Sequence, residues 1–202
     1  MNNQIGTRQQ VWVVLIGGFT QRDYRENGLQ RLWMKLNRVA VPMTHVALRE
    51  WTVNTSRLAQ RIWLVSRYDE SPPIIIVVGY SYGGQTAVNF CRDLARRGLM
   101  VESLVLCDAV FRWLRVLPTL SSLFSFWRIR VPRNVRMVRW FYQRMSIPFG
   151  HRVVRDDPEQ TAFWNNEFFG KELEAGHVYV DDNLEFHTHV LAQFMRYASH
   201  AE

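Results

Sequence analysis

Cysteine is almost missing. Cys91 and Cys107 are the only two in 202 residues, which forms no metal-binding spacing and suits a reducing compartment better than a disulfide framework. Both sit in apolar stretches and read as core. Long hydrophobic runs are missing too: the first ten residues are polar, and the apolar stretch 11–16 is too short for a signal-peptide core or a membrane span. A cytoplasmic protein is expected. The net charge of +7 invites a nucleic-acid reading, but the basic residues are scattered arginines and no nucleic-acid motif is present, so no nucleic-acid partner is expected. Two readings of the charge stay open, a solvated basic surface and peripheral attraction to an anionic membrane that carries the substrate. Phosphate-gripping Gly-Lys-Ser/Thr is absent as well. His187 and His189 stand two apart, which on a helix turns the rings away from each other. No metal site and no organic cofactor is expected.

What the chain has is a core and one sharp motif. With 48% hydrophobic residues over 202 positions, it is long enough for a single globular domain, 1–202, without a large inserted one. Ile74, Ile75, Ile76, Val77 and Val78 make a continuous β-branched run, the pattern of a parallel strand buried on both faces. It runs into Gly79-Tyr80-Ser81-Tyr82-Gly83 and then into a helical pattern through Ala87, Phe90, Cys91 and Leu94. A strand, G-x-S-x-G and a helix form a nucleophile elbow. The backbone must bend sharply to present the Ser81 hydroxyl, and the flanking glycines leave the space where a Cβ would collide. The Tyr82 amide, in the first turn of the helix, would face the same spot. The competing reading is a glycine-rich turn with an idle serine.

At Gly79 to Gly84 the sequence resembles the α/β-hydrolase superfamily, in particular its small esterase, lipase and thioesterase members. The resemblance implies a mainly parallel sheet, a serine–acid–histidine triad in that chain order, and an oxyanion hole shared between the residue after the serine and an earlier strand loop. The order of elements agrees. A buried strand at 11–16 ends in Gly17-Gly18-Phe19, and glycines there let backbone approach a ligand. This resembles the family's oxyanion loop without its His-Gly-Gly-Gly form, and makes the Phe19 amide, with Gly18 beside it, the second oxyanion donor. Leu29, Leu32, Trp33 and Leu36 recur at helical spacing. A short strand is expected at 44–48, then a helix capped within Asn54-Thr55-Ser56, a helix end at Gly98, and strands at 101–107 and 134–143. This alternation predicts an α/β fold, a doubly wound and mainly parallel sheet. The aromatic, arginine-rich stretch within 109–133 falls where the family often inserts a lid, and is expected to be either a short helical, lid-like insertion shaping an apolar pocket or a plain packed helical excursion.

Asp108 follows Leu104, Val105, Leu106 and Cys107 at the edge where open parallel sheets carry their sites. A carboxylate at a buried strand end needs a partner, and a histidine to orient is one. A cap for the next segment is the other reading. Most members of the superfamily take the acid from the following strand and a minority from this position. Asp156 and Asp157, in a polar loop beyond the next strand, are the alternative acids. Resemblance assigns the base to His177, before the final helix; the competing reading is a loop histidine held by Asp181 or Asp182. His187 falls on the buried stripe of that helix and His189 off it, toward solvent. The expected chemistry is serine hydrolysis of a carboxylic ester or thioester, on a small-molecule or lipid-like acyl substrate, with Ser81, Asp108 and His177 catalytic and the Phe19 and Tyr82 amides holding the oxyanion. An acyltransferase with the same triad, or a non-catalytic protein of this fold binding a membrane or protein partner, are the alternatives.

Overall fold

A parallel strand covered on both faces needs an apolar residue at nearly every position, and three stretches of the chain meet that demand. The computed structural model describes residues 9–19, 21, 26–111, 127–167 and 169–199. In it these stretches become β1 (Val11–Ile16), β3 (Ile74–Tyr80) and β4 (Val101–Cys107). With β2 (Thr44–Arg49), β6 (Val135–Tyr142) and β8 (Ala162–Phe163) they give the order β2-β1-β3-β4-β6-β8, and β9 (Lys171–Glu172) also pairs with β6. Every strand pairing among the described residues is parallel.

Alternate residues of each strand enter two separate cores. Trp12, Val14, Ile16, Ile75 and Val77 pack with Leu58 and Ile62 of α2 (Thr55–Ser66) and with Phe90 and Leu94 of α3 (Tyr82–Ala95). Val11, Val13, Leu15, Ile76 and Val78 pack with Leu29, Leu32 and Leu36 of α1 (Gly28–Arg38) and with Phe186, Val190 and Phe194 of α4 (Leu184–Ala198). Helices on both faces make the sheet doubly wound. Each such Leu, Ile, Val or Phe, fully buried, contributes about 1.5–3 kcal/mol. Among the described residues no helix is long and apolar enough to cross a membrane.

Among the described residues three α-helices start on asparagine. The side chains of Asn27, Asn54 and Asn183 accept from the amides of Gln30, Arg57 and Glu185 at 2.9, 3.0 and 2.9 Å, caps typically worth about 1 kcal/mol each. The fourth, α3, starts on Ser81 and has no side-chain cap.

Most of the expected lid-like stretch, residues 112–126, lies outside the described residues. Its described end is not helical: Arg128–Val131 is a strand, β5, paired with β7 (Arg152–Arg155) in a separate two-stranded sheet. Its arginines are exposed while Ile129 and Val131 are buried, a period of two that the surrounding excess of aromatic residues concealed.

Candidate active site

The register that pairs Tyr80 with Cys107 sets the next residue of each strand, Ser81 and Asp108, side by side at the sheet's C-terminal edge. Backbone bonds hold them there. Ser81 N donates to Cys107 O at 3.1 Å, Val110 N to Ser81 O at 2.9 Å, and Asp108 N to Phe141 O at 2.7 Å. Both residues have positive φ, 53° for Ser81 and 45° for Asp108, a conformation that costs non-glycine residues on the order of 1–3 kcal/mol and concentrates at functional sites. The bend at Ser81 depends on bare backbone around it. A Cβ on Gly79 would lie 2.8 Å from the Ala87 Cβ, and one on Gly83 would lie 2.5 Å from the Gly17 carbonyl oxygen.

His177 reaches this pair from the loop before α4. Its Nε2 lies 2.9 Å from Ser81 Oγ and its Nδ1 lies 2.5 Å from Asp108 Oδ2. A carboxylate only accepts, so Nδ1 carries the ring proton and Nε2 is left to accept from the serine hydroxyl. His177 is fixed by its surroundings: its N donates to Ser146 Oγ at 2.6 Å, the Tyr80 hydroxyl donates to the His177 carbonyl, and the Tyr80 ring stacks on the imidazole with centroids 5.4 Å apart. Asp108 is fully buried. Its carboxylate also receives Gln143, through Nε2 to Oδ2 at 2.9 Å and through the backbone N to Oδ1 at 3.3 Å. Gly150 closes over it, since a Cβ there would overlap Asp108 Oδ1.

On the other side of Ser81 passes the 17–19 loop, close enough that a Cβ on Gly18 would lie 3.0 Å from the Ser81 Cβ. The Gly17 amide is engaged by Arg49 O at 2.8 Å and the Gly18 amide by Gln21 Oε1 at 3.1 Å. Gly18 is therefore no donor, which leaves Phe19 as the candidate from this loop. Tyr82 opens α3, where backbone amides have no intrahelical acceptor. The rings of Phe19, Trp51 and Tyr82 form an aromatic corner here, with centroids 5.5–6.2 Å apart.

The other candidates lie elsewhere. Asp157 Oδ1 accepts from the amides of Glu159 and Gln160 at 3.0 and 3.3 Å, and Asp156 sits 3.9 Å from Arg130. Asp181 accepts from the Leu29 amide at 3.1 Å and from Gln21, while Asp182 pairs with Arg31 through two bonds of 2.8 and 2.6 Å. Neither Asp181 nor Asp182 holds the His177 ring. His187 is buried, with Nε2 on Asp181 O at 2.8 Å and Nδ1 beside Lys35 Nζ at 3.0 Å. Its pKa is lowered, by desolvation first. His189 departs from expectation. Rather than facing solvent, it lies edge-on to Phe141 and Trp164, at 5.7 and 4.9 Å, and burial, aided by Arg139, brings its pKa down to about 4. Trp164 comes from the short helical turn after β8, a long-range neighbour that the helical spacing around His189 does not reveal. Burial raises both cysteine thiols, consistent with a core role. Among the described residues no cluster of His, Cys, Asp or Glu could hold a metal ion.

Tyr80, Gln143 and Ser146 are the site residues that sequence reasoning missed. Gln143 carried one legible signal, a polar residue directly beyond the apolar end of β6.

A sequence model described as "Alpha/beta hydrolase family" matches residues 17–196, a span containing every residue of this constellation. No curated protein sequence matches. Among solved structures, the chain is similar to ClbQ from the colibactin NRPS/PKS pathway, with a TM-score of 0.50 and 11% identity over 95% of this chain and 99% of that one. It is also similar to a cutinase-like protein from Cryptococcus sp., with a TM-score of 0.38 and 16% identity over 52% of this chain and 56% of that one. The match from Gly17 into the last helix, on a doubly wound sheet with a strand–serine–helix bend at its centre, shows that the chain belongs to the alpha/beta hydrolase family.

Proposed function

We propose that this chain is a serine hydrolase that cleaves a carboxylic ester or thioester through an acyl-enzyme. The observation that carries the reading is the continuous hydrogen-bond path Ser81 Oγ–His177 Nε2 and His177 Nδ1–Asp108 Oδ2, ending on a serine held at φ 53°. Ser81 Oγ attacks the substrate carbonyl carbon while its proton passes to His177 Nε2, and Asp108 stabilises the imidazolium through Nδ1–H. The Phe19 and Tyr82 amides hold the oxyanion, each such donor typically contributing about 3–4 kcal/mol. Collapse of the tetrahedral intermediate expels the alcohol or thiol, protonated by His177. Water, deprotonated by the same nitrogen, then attacks the acyl-serine and releases the carboxylic acid. An apolar substrate is favoured by the Phe19–Trp51–Tyr82 corner and by Val178 and Tyr179, exposed next to the base.

The test is labelling with a fluorophosphonate probe and mapping of the adduct, alongside a chain-length series of chromogenic esters and thioesters. Adduct on Ser81 and turnover of at least one series are expected. A folded protein that leaves Ser81 unlabelled would sink the reading.

A further inference from the structure

The acid is attached to more than its histidine. Gln143 is 1% exposed, and every polar atom of its side chain is in use. Its Nε2 shares two protons among Asp108 Oδ2 at 2.9 Å, Ser146 O at 2.6 Å and Pro148 O at 3.0 Å, while its Oε1 accepts from the amides of Met145 and Ser146 at 2.7 and 2.8 Å. Ser146 in turn accepts from the His177 amide through Oγ at 2.6 Å. One carboxamide thus joins the buried carboxylate to the loop on which the base rests.

Closing that loop would need only the Oε1 bonds and the two carbonyl acceptors. The bond to Asp108 is extra, and it falls on Oδ2, the same oxygen that accepts from His177 Nδ1. A neutral amide suits this place. It donates without giving up its proton and adds no charge beside the acid, and its bond to Oδ2 restrains the carboxylate where it meets the imidazole.

We propose that Gln143 is a positioning residue for the general base: through Asp108 it fixes the carboxylate oxygen that orients His177, and through Ser146 it fixes the backbone on which His177 sits. The proposal rests on the reading of Ser81, His177 and Asp108 as a triad, so the experiment separates the two.

Four variants of the full chain, Gln143→Met, Gln143→Glu, Asp108→Asn and the Asp108→Asn/Gln143→Met double variant, are compared with the wild type by probe-labelling rate at Ser81, by ester hydrolysis across pH, and by NMR titration of the His177 imidazole. Gln143→Met, of similar shape but without donors, lowers kcat by about 10- to 100-fold, as loss of an outer-shell partner does, with KM nearly unchanged. Gln143→Glu keeps the shape and replaces the amide by a carboxyl that must share a proton with Asp108. The titration of the imidazole and the acidic limb of the kcat/KM profile are displaced from those of the wild type, because the charge facing the ring then depends on that shared proton. The other titratable groups that feel Asp108, Tyr80 and Cys107, are driven upward by burial and stay protonated through that window. In an Asp108→Asn background, Gln143→Met costs less than about threefold more, since two residues acting through one bond are not additive. A merely structural Gln143 would instead leave the His177 titration in place and add its full cost to Asp108→Asn. Any of those results, or wild-type kcat in folded Gln143→Met, overturns the proposal. Labelling failure in the wild type together with a shifted His177 titration in Gln143→Glu would overturn the hydrolase reading and leave the positioning role standing.

Discussion

Around Ser81 a histidine and a buried aspartate meet side chain to side chain, and the free ring nitrogen ends on a hydroxyl. Where α1 meets α4, the buried pair Asp181 and His187 arranges the same residue types differently. There the histidine bonds the aspartate's backbone carbonyl, and its other nitrogen ends beside Lys35, while the carboxylate turns to the Leu29 amide and to Gln21. Both aspartates are buried. Only one network ends on a serine hydroxyl at a strained turn; the other ends on Lys35 and, through Gln21, on the Gly18 amide. A buried His–Asp neighbourhood therefore says little until one asks where its last hydrogen bond points.

Substitutions sharpen the contrast, beginning at the nucleophile. Ser81→Ala is expected to lower kcat by about a millionfold and to leave Tm nearly unchanged, because alanine carries the same Cβ into the same φ; turnover assays and calorimetry on one preparation check both. Asp108→Asn keeps the fold but admits the wrong imidazole tautomer, and kcat falls by about four orders of magnitude. If Asp157→Asn or Asp156→Asn shows that loss instead, the acid lies in the later loop.

The second network should answer in stability. Burial holds the Asp181 carboxyl up to about 6 against the ordinary 3.8, so between these values the folded protein binds the proton more tightly than the unfolded chain. Stability therefore falls as pH rises from about 4 to 6, by about 3 kcal/mol, and levels off above. Asp181→Asn removes that slope in denaturant titrations across pH while ester hydrolysis persists. His187→Ala is the mildest, costing about 2 kcal/mol for the unpaired groups it leaves, with the rate of hydrolysis nearly unchanged. A folded but inactive His187→Ala protein would exchange the roles of the two regions.

The parts of this arrangement that were legible are those fixed by local patterns. The run before Gly79, the serine between two glycines and the helical spacing after it are neighbours in sequence, and so is the Asp108 carboxylate at the end of an apolar strand. Gln143 showed only its polarity beyond an apolar strand and not its partner, because that comes from the parallel pairing of β4 with β6, which brings it within reach of a residue 35 positions earlier. His189 was misjudged for a related reason: helical periodicity describes the face toward the sheet and is silent about Trp164 arriving from the side. At 128–131 alternation was present, but only four residues long, too short to stand out among its neighbours.

Ser81, Asp108 and His177 are attached in ways that decide how the site fails. Ser81 and Asp108 are bound by main-chain bonds across adjoining central strands, so they share the fate of the sheet and open only when it unfolds. His177, 96 residues from Ser81, hangs from Ser146, Tyr80 and Asp108 by side-chain ties, on a loop whose next two residues, Val178 and Tyr179, are largely exposed. Segments with few buried contacts open at lower free energy than the core. Warming should therefore detach the base as a local equilibrium while the elbow stays intact, and catalysis fades over a temperature range in which the sheet's amides remain protected from exchange with solvent.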